Sequence, residues 1–363
     1  MSDRVDVLVV SLGTTRGLRL ADAQLVSMLR EAGASVGAVA TRIGWTNALR
    51  RAYPVNDVVE AIAARRAFIA GSRRYRPRAV VFSTTTAALL AGVPDVPFAV
   101  WLDSPACLNR PGLASTPLHM LERRQLARAR VLMPHSPGAL SALPLGAAPT
   151  VLIPPPVAAA TSPVDVREPV AAAPNPADLR EPVAVGYTPD PKAKGLALLC
   201  AAWERADLPG ARLLIAGIPG DRALDFLARR DLRLPPGAEL LGMLPQASFR
   251  DLLSRARVFV STAEWEDFGI APLEALDRGA VLACAPGGGP FPALGIARSL
   301  GPDFVAADRD AGTVARALES AFAADATMLA AYRVAARAAL EPYRPQASVK
   351  RLQEEVLPAL LGR

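Results

Sequence analysis

Short apolar runs rich in valine and isoleucine alternate with alanine- and leucine-rich stretches of helical period, and the alternation occurs twice. The first series opens with "VDVLVVSLG" as a strand and "RLADAQLVSMLREAG" as a helix that Gly33 stops. "ASVGAVAT", "RAVVFST", "PFAVWLD", "RVLMPHS" and "TVLIPPP" read as further strands. Parallel strands need long crossovers, and helices supply them, so the alternation predicts a parallel sheet covered on both faces. Residues 156–182, "PVAAATSPVDVREPVAAAPNPADLREP", have no period and read as a linker. The pattern then restarts. "VAVGYT", "ARLLIAG", "AELLGM", "RVFVST" and "AVLACA" read as strands, and "KGLALLCAAWERA", "DRALDFLARR", "SFRDLLSRA" and "APLEALDRG" as helices. Helical stretches at about 312–341 and 346–361 close the chain.

The expected organisation is α/β. Residues 1–155 form one doubly wound domain, 156–182 a linker and 183–340 a second domain. Residues 341–363 form a C-terminal helix that packs back on the first domain. Two such domains on one hinge leave a cleft, and open parallel sheets take ligands beyond the carboxyl ends of their strands. The cleft is therefore the expected site.

Composition narrows the class. At 363 residues the chain is too long for one ordinary core. A hydrophobic fraction of 51% with 21% charged residues indicates a folded protein. Three scattered cysteines give no disulfide framework, and two histidines exclude a histidine-rich metal site. The N-terminus runs straight into a strand, without the pattern of a signal peptide. No apolar run is long enough to span a bilayer; the nearest holds two prolines and Asp95. The expectation is a soluble cytoplasmic protein, or one bound peripherally at the inner face of a membrane.

"EWEDFGIAPLEALDRGA", residues 264–280, packs five acidic residues into a chain of net charge +7. Pro272 suits a first helical turn and Gly279 a helix end, which predicts a helix from about Ala271 to Arg278. Phe268, Gly269 and Ile270 form the turn that feeds it, and their N–H groups with the helix dipole make an anion site. Glu266 precedes the helix and Glu274 lies on it. Carboxylates accept hydrogen bonds from sugar hydroxyls, so the combination suits a nucleotide sugar. The same spacing also fits a solvated loop and helix.

The stretch "VFVSTAEWEDFGIAPLEALDRGAVLACAPGGGP" resembles the signature of family 4 retaining glycosyltransferases, the glycosyl transferases group 1, whose paired glutamates have seven residues between them, as Glu266 and Glu274 do. "SLGTTRGLRLADAQLVSML", "RVLMPHS", "VLIPPPV", "VAVGYTPDPKAKG", "LLIAG" and "AELLGML" resemble further pieces of that family in the same order. The resemblance implies the GT-B fold: two doubly wound, Rossmann-like parallel-sheet domains facing across a cleft. It implies that Glu274 takes the ribose hydroxyls of a UDP- or GDP-sugar and that Glu266 contacts the donor sugar. The amides of Phe268, Gly269 and Ile270 would hold sugar hydroxyls and diphosphate, and Lys194 would neutralise the leaving diphosphate. Gly13 would admit the phosphates, and Gly242, Met243 and Leu244 would lie near the base. No metal or other cofactor is implied. The chain departs from the family at Tyr187 and Thr188, where an arginine usually stands; Arg16 or Lys192 are candidates to replace it. A protein of this fold that has lost catalysis and serves as a scaffold, an inverting transferase and an epimerase are the alternatives.

Charge is unevenly spread. Residues 1–155 hold 18 Lys and Arg against 9 Asp and Glu. The excess concentrates at Arg65, Arg66, Arg73, Arg74, Arg76 and Arg78, and at Arg123, Arg124, Arg128 and Arg130. A solvated face explains this, and so does a patch for anionic lipid headgroups. The family's first domain binds the acceptor, so the resemblance implies a glycan, lipid or small-molecule acceptor, with cell-envelope glycan synthesis as the setting. Nucleic acid is not expected, because no recognition motif accompanies the arginines.

Overall fold

The computed structural model describes residues 4–14, 16–41, 55–157 and 180–362. Two compact units make up the chain: Met1–Pro156 with Pro342–Arg363, and Val157–Glu341.

The first unit holds a five-stranded parallel sheet in the order β2-β1-β3-β4-β5. Its strands are β1 (Val7–Ser11), β2 (Val36–Ala40), β3 (Ala79–Phe82), β4 (Phe98–Leu102) and β5 (Val131–Pro134). Successive side chains of a strand point to opposite faces. Val7, Val9, Val81, Trp101 and Met133 therefore enter one core layer, while Leu8, Val10, Val80, Phe82 and Leu132 enter the other. The first layer is completed by Leu25, Met28 and Leu29 of helix Arg16–Glu31, and by Leu352, Val356, Leu357, Leu360 and Leu361 near the C-terminus. Arg130 and Arg78 donate to the carbonyls of Ala359 and Leu361, the last turn of helix Leu357–Leu361.

"TVLIPPP" is not a strand. Thr150 makes a single bridge to Leu132, and the Val151 and Ile153 amides reach β5. Prolines 154–156 lack the N–H groups that would extend the pairing.

The helix Val55–Tyr75 was hidden from sequence periodicity. Its inward side is small, with Ala61, Ala64 and Gly71 buried, and Val55, Val58, Ile62 and Ile69 face outward.

The second unit repeats the plan in the order β10-β9-β6-β7-β8, again all parallel. Its strands are β6 (Glu181–Tyr187), β7 (Arg212–Ala216), β8 (Ala238–Gly242), β9 (Ala256–Ser261) and β10 (Val281–Cys284). The chain winds outward from β6 in one direction through β7 and β8, then returns to place β9 on its other side. The carboxyl ends of β6 and β9 therefore flank the point where the winding reverses. The stretch expected as one helix over about 312–341 is two, Ala311–Ala323 and Ala326–Leu340. Asp325 separates them; its side chain accepts from the Met328 amide and starts the second helix. Most of the expected linker, residues 158–179, lies outside the described residues.

Candidate functional site

Two loops meet at the carboxyl ends of β6 and β9. After β6, Asp190 Oδ1 accepts from the amides of Lys192 and Ala193, which turns the chain back on itself. The turn ends at Gly195, which opens helix Leu196–Arg205 with φ +68°. A Cβ at Gly195 would lie 2.0 Å from the Thr262 carbonyl oxygen, so both the backbone angle and the close approach demand glycine. Thr262, buried at the end of β9, donates to the carbonyl oxygens of Lys194 and Gly195, and the Glu264 amide donates to Ala193.

This stitching delivers Lys194 to Glu266. Lys194 Nζ lies 2.7 Å from Glu266 Oε2, with the two side chains 22% and 15% exposed. Burial pushes the Glu266 carboxyl above the ordinary glutamate value, and the Lys194 ammonium pulls against that shift. The Glu266 backbone is fixed as well, since its amide donates to Gly288 and the Gly288 amide donates to Glu264.

The helix expected after Glu266 runs Ile270–Asp277, within one residue of the sequence reading. Gly269 starts it at φ +79°, and a Cβ there would lie 2.8 Å from the Phe291 ring and 3.0 Å from Glu266 Cγ. The missing side chain thus lets Phe291 and Glu266 close over the turn. Phe268 is buried, and Ile270 is partly exposed. Pro272 has no N–H and the Leu273 amide donates to the Gly269 carbonyl, so the helix start offers the amides of Ile270 and Ala271, which precede the first intrahelical bond.

Glu274 is buried on this helix and is already paired. Arg250, on helix Gln246–Arg255, donates to Glu274 Oε1 from Nε at 3.0 Å and from Nη2 at 2.8 Å. Gly242 ends β8, and Met243 and Leu244 follow it; the Gly242 carbonyl accepts from the Gly217 amide, and Met243 is 51% exposed.

Tyr187 and Thr188 supply no cation. The Tyr187 ring packs 5.0 Å from Phe249, and Thr188 is 2% exposed. Lys192 lines a recess of about 380 Å³ with Arg222, Phe226, Arg229 and Arg230. Gly13 stands in the first unit after β1, at φ +58°; its carbonyl accepts from Arg19, and its amide faces the buried Asp22 carboxyl. The Arg16 side chain lies outside the described residues.

Two arginines escaped sequence reasoning. Arg250 is one. The other is Arg309, which donates to the carbonyl oxygens of Thr262, Ala263 and Pro286 and so braces the Glu266 loop from beneath. Neither carries a local motif. Both act on partners 23 to 47 positions away in the chain.

Among the described residues no group of three His, Cys, Asp or Glu is placed to hold a metal ion, and no helix is long and apolar enough to cross a membrane.

No curated protein matches the sequence. Among solved structures, the chain is similar to sucrose-phosphate synthase from Thermosynechococcus elongatus, at 18% identity and a TM-score of 0.72 over 96% of this chain and 97% of that one. It is similar to Anabaena HepE, solved in complex with UDP and glucose, at 15% identity and a TM-score of 0.68 over 97% and 99% of the two chains. WaaG, a glycosyltransferase involved in lipopolysaccharide biosynthesis, aligns at 13% identity with a TM-score of 0.65 over 98% and 100%. Residues 172–337 match the family model of glycosyl transferases group 1, and the two five-stranded units carry the α/β architecture of the GT-B transferases.

Proposed function

We propose that the protein is a retaining glycosyltransferase that moves a sugar from a nucleoside diphosphate to an acceptor hydroxyl. The observation that carries the reading is the Lys194–Glu266 pair, set at the carboxyl ends of β6 and β9 beside the N-terminus of helix Ile270–Asp277. The family match over residues 172–337 and the UDP and UDP-glucose complexes of HepE support a nucleotide-sugar donor.

In this reading the bond from the anomeric carbon to the diphosphate breaks, and its electrons pass to the leaving phosphate oxygen. Lys194 and the helix N-terminus meet the charge as it develops, where such stabilisation lowers a barrier most. Glu266 holds the donor sugar, and Glu274 the ribose. The acceptor hydroxyl attacks from the same face that the diphosphate leaves, and its proton passes to the leaving oxygen. The amides of Phe268, Gly269 and Ile270 take the remaining donor oxygens, and Gly242, Met243 and Leu244 border the base. The test is turnover on a panel of UDP-, GDP- and ADP-sugars with the anomeric configuration of product read by proton NMR. The α-linked donor should give an α-linked product; an inverted product would exclude the retaining course.

A membrane-surface acceptor is supported by one further observation. Val55, Val58, Ile62 and Ile69 are 40–47% exposed on helix Val55–Tyr75. At 3.6 residues per turn they share one side with the exposed Arg65, Arg66 and Arg73. Apolar side chains among arginines on an exposed helix face suit anionic lipid. Flotation with vesicles of anionic lipid should carry the protein up, and vesicles of phosphatidylcholine alone should not. Equal flotation with both would remove this part of the reading.

A further inference from the structure

Helices Gln246–Arg255 and Ile270–Asp277 are joined by an ion pair of unusual form. An arginine fork usually places one N–H on each carboxylate oxygen. Here Nε and Nη2 of Arg250 both converge on Oε1 of Glu274, at 3.0 Å and 2.8 Å. A two-oxygen grip would commit the whole carboxylate to the arginine. A one-oxygen grip fixes the side chain and leaves Oε2 to a further donor.

The surroundings hold Arg250 in place. Its neighbour Phe249 packs against Tyr187 at the end of β6. Ser254 donates to the Arg250 carbonyl and accepts from Arg278, a second tie between the two helices. The Arg250 and Glu274 side chains are 28% and 10% exposed, so the charge of Glu274 needs a compensating partner.

We propose that Arg250 is the positioning residue of the nucleoside half of the site. By gripping Oε1 alone it fixes Glu274 before the donor arrives and presents Oε2 to the ribose hydroxyls. Prior fixing removes the ordering cost that a free glutamate would add to binding. The inference rests on the reading of Glu274 as a ribose ligand. It divides the donor site into two pairs, Lys194–Glu266 for the sugar and diphosphate and Arg250–Glu274 for the ribose.

The test measures ribose recognition separately from phosphate recognition. UDP, GDP and ADP are titrated calorimetrically into the wild-type protein, and the tightest is compared with its 2′-deoxy and 3′-deoxy forms. Loss of one ribose hydrogen bond should weaken wild-type binding about tenfold. Arg250→Ala should shrink that discrimination to about twofold or less, with inorganic pyrophosphate binding unchanged, and Arg250→Lys should restore part of it. Full discrimination in a folded Arg250→Ala protein would overturn the inference alone. So would equal loss of pyrophosphate binding, which would make Arg250 a phosphate ligand. A wild-type protein that binds ribose and deoxyribose forms alike would overturn the inference together with the reading of Glu274 as the ribose ligand. Should Arg250→Ala fail to fold by its melting curve, Arg250→Lys decides: reduced discrimination supports the inference, and wild-type discrimination overturns it. Binding of none of the three nucleotides by the wild-type protein would overturn both this inference and the nucleotide-sugar reading beneath it.

Discussion

Gly195→Ala is the sharpest single perturbation of the site, because its consequence follows from two geometric features of the turn. The backbone is left-handed there, at φ +68°, which costs a non-glycine residue about 1–2 kcal/mol. The new Cβ would also fall 2.0 Å from the Thr262 carbonyl oxygen, where real Cβ contacts stay beyond 3.0 Å. That oxygen cannot simply retreat, since Arg309 Nη2 holds it at 2.9 Å. The turn carrying Lys194 must therefore move by about 1 Å, with an overpacking cost of about 1–3 kcal/mol. Together the two terms predict roughly 2–5 kcal/mol, or a fall of roughly 4–20 °C in the melting temperature of a unit this size. A 1 Å displacement of Lys194 should reduce turnover about 100-fold. Gly210→Ala is the control, since Gly210 has φ +75° with nothing within 4 Å of its Cβ position. It should show only the backbone cost and full turnover. Differential scanning calorimetry with a donor-turnover assay makes the comparison. Equal melting temperatures and equal turnover in the two variants would show that the Thr262 carbonyl does not constrain the Gly195 turn.

Other predictions concern the titrating groups and the brace. Burial raises the Glu266 carboxyl and Lys194 opposes the shift, so Lys194→Met should move the Glu266 titration further up, as read by carbon-13 NMR of its side chain. A glutamate raised on folding favours the fold below its ordinary pKa and loses that contribution as pH rises through its folded value. The variant should therefore lose more stability than wild type on going to neutral pH; an unmoved titration would count against the pairing. His135 is buried against Trp101 and its pKa is pushed down to about 3. Its neutral form supports the fold above the ordinary value of 6.5, and that support fades as pH falls. Urea melts at pH 7 and pH 5 should show wild type losing about 2 kcal/mol more than His135→Gln; parallel losses would place the acid sensitivity elsewhere. Arg309→Lys keeps a charge but cannot span three carbonyls, so it should cost about 2–3 kcal/mol in urea unfolding and raise the donor KM. An unchanged KM would show that the Glu266 loop stands without the brace.

The sheets were legible because buried parallel strands are continuous apolar runs, and such runs cannot be confused with the alanine-rich helices between them. Where prolines entered, as in "TVLIPPP", apolar character survived but hydrogen-bonding capacity did not. The helix Val55–Tyr75 escaped for the opposite reason: its buried apolar positions are Ala61, Ala63, Ala64 and Gly71, while Val55, Val58, Ile62 and Ile69 face out. At the site, Glu266, Gly269 and Glu274 were readable because one helix start gathers them within nine residues. The Lys194–Glu266 contact spans 72 positions, and only the family resemblance suggested that both residues serve one ligand. Arg250 and Arg309 act on partners set by helix and loop packing, and one-dimensional spacing does not encode that geometry.

The central claim is that Lys194 and Glu266 form one end of a nucleotide-sugar site. Calorimetric titration of UDP-, GDP- and ADP-sugars into wild type, Lys194→Ala and Glu266→Ala tests it most directly. Wild type should bind at least one of these donors. Loss of the lysine should weaken the donor and the free nucleoside diphosphate alike, by about tenfold or more. Loss of the glutamate should weaken the donor but not the free diphosphate. Absence of binding in wild type, or unchanged affinities in both variants, would contradict it.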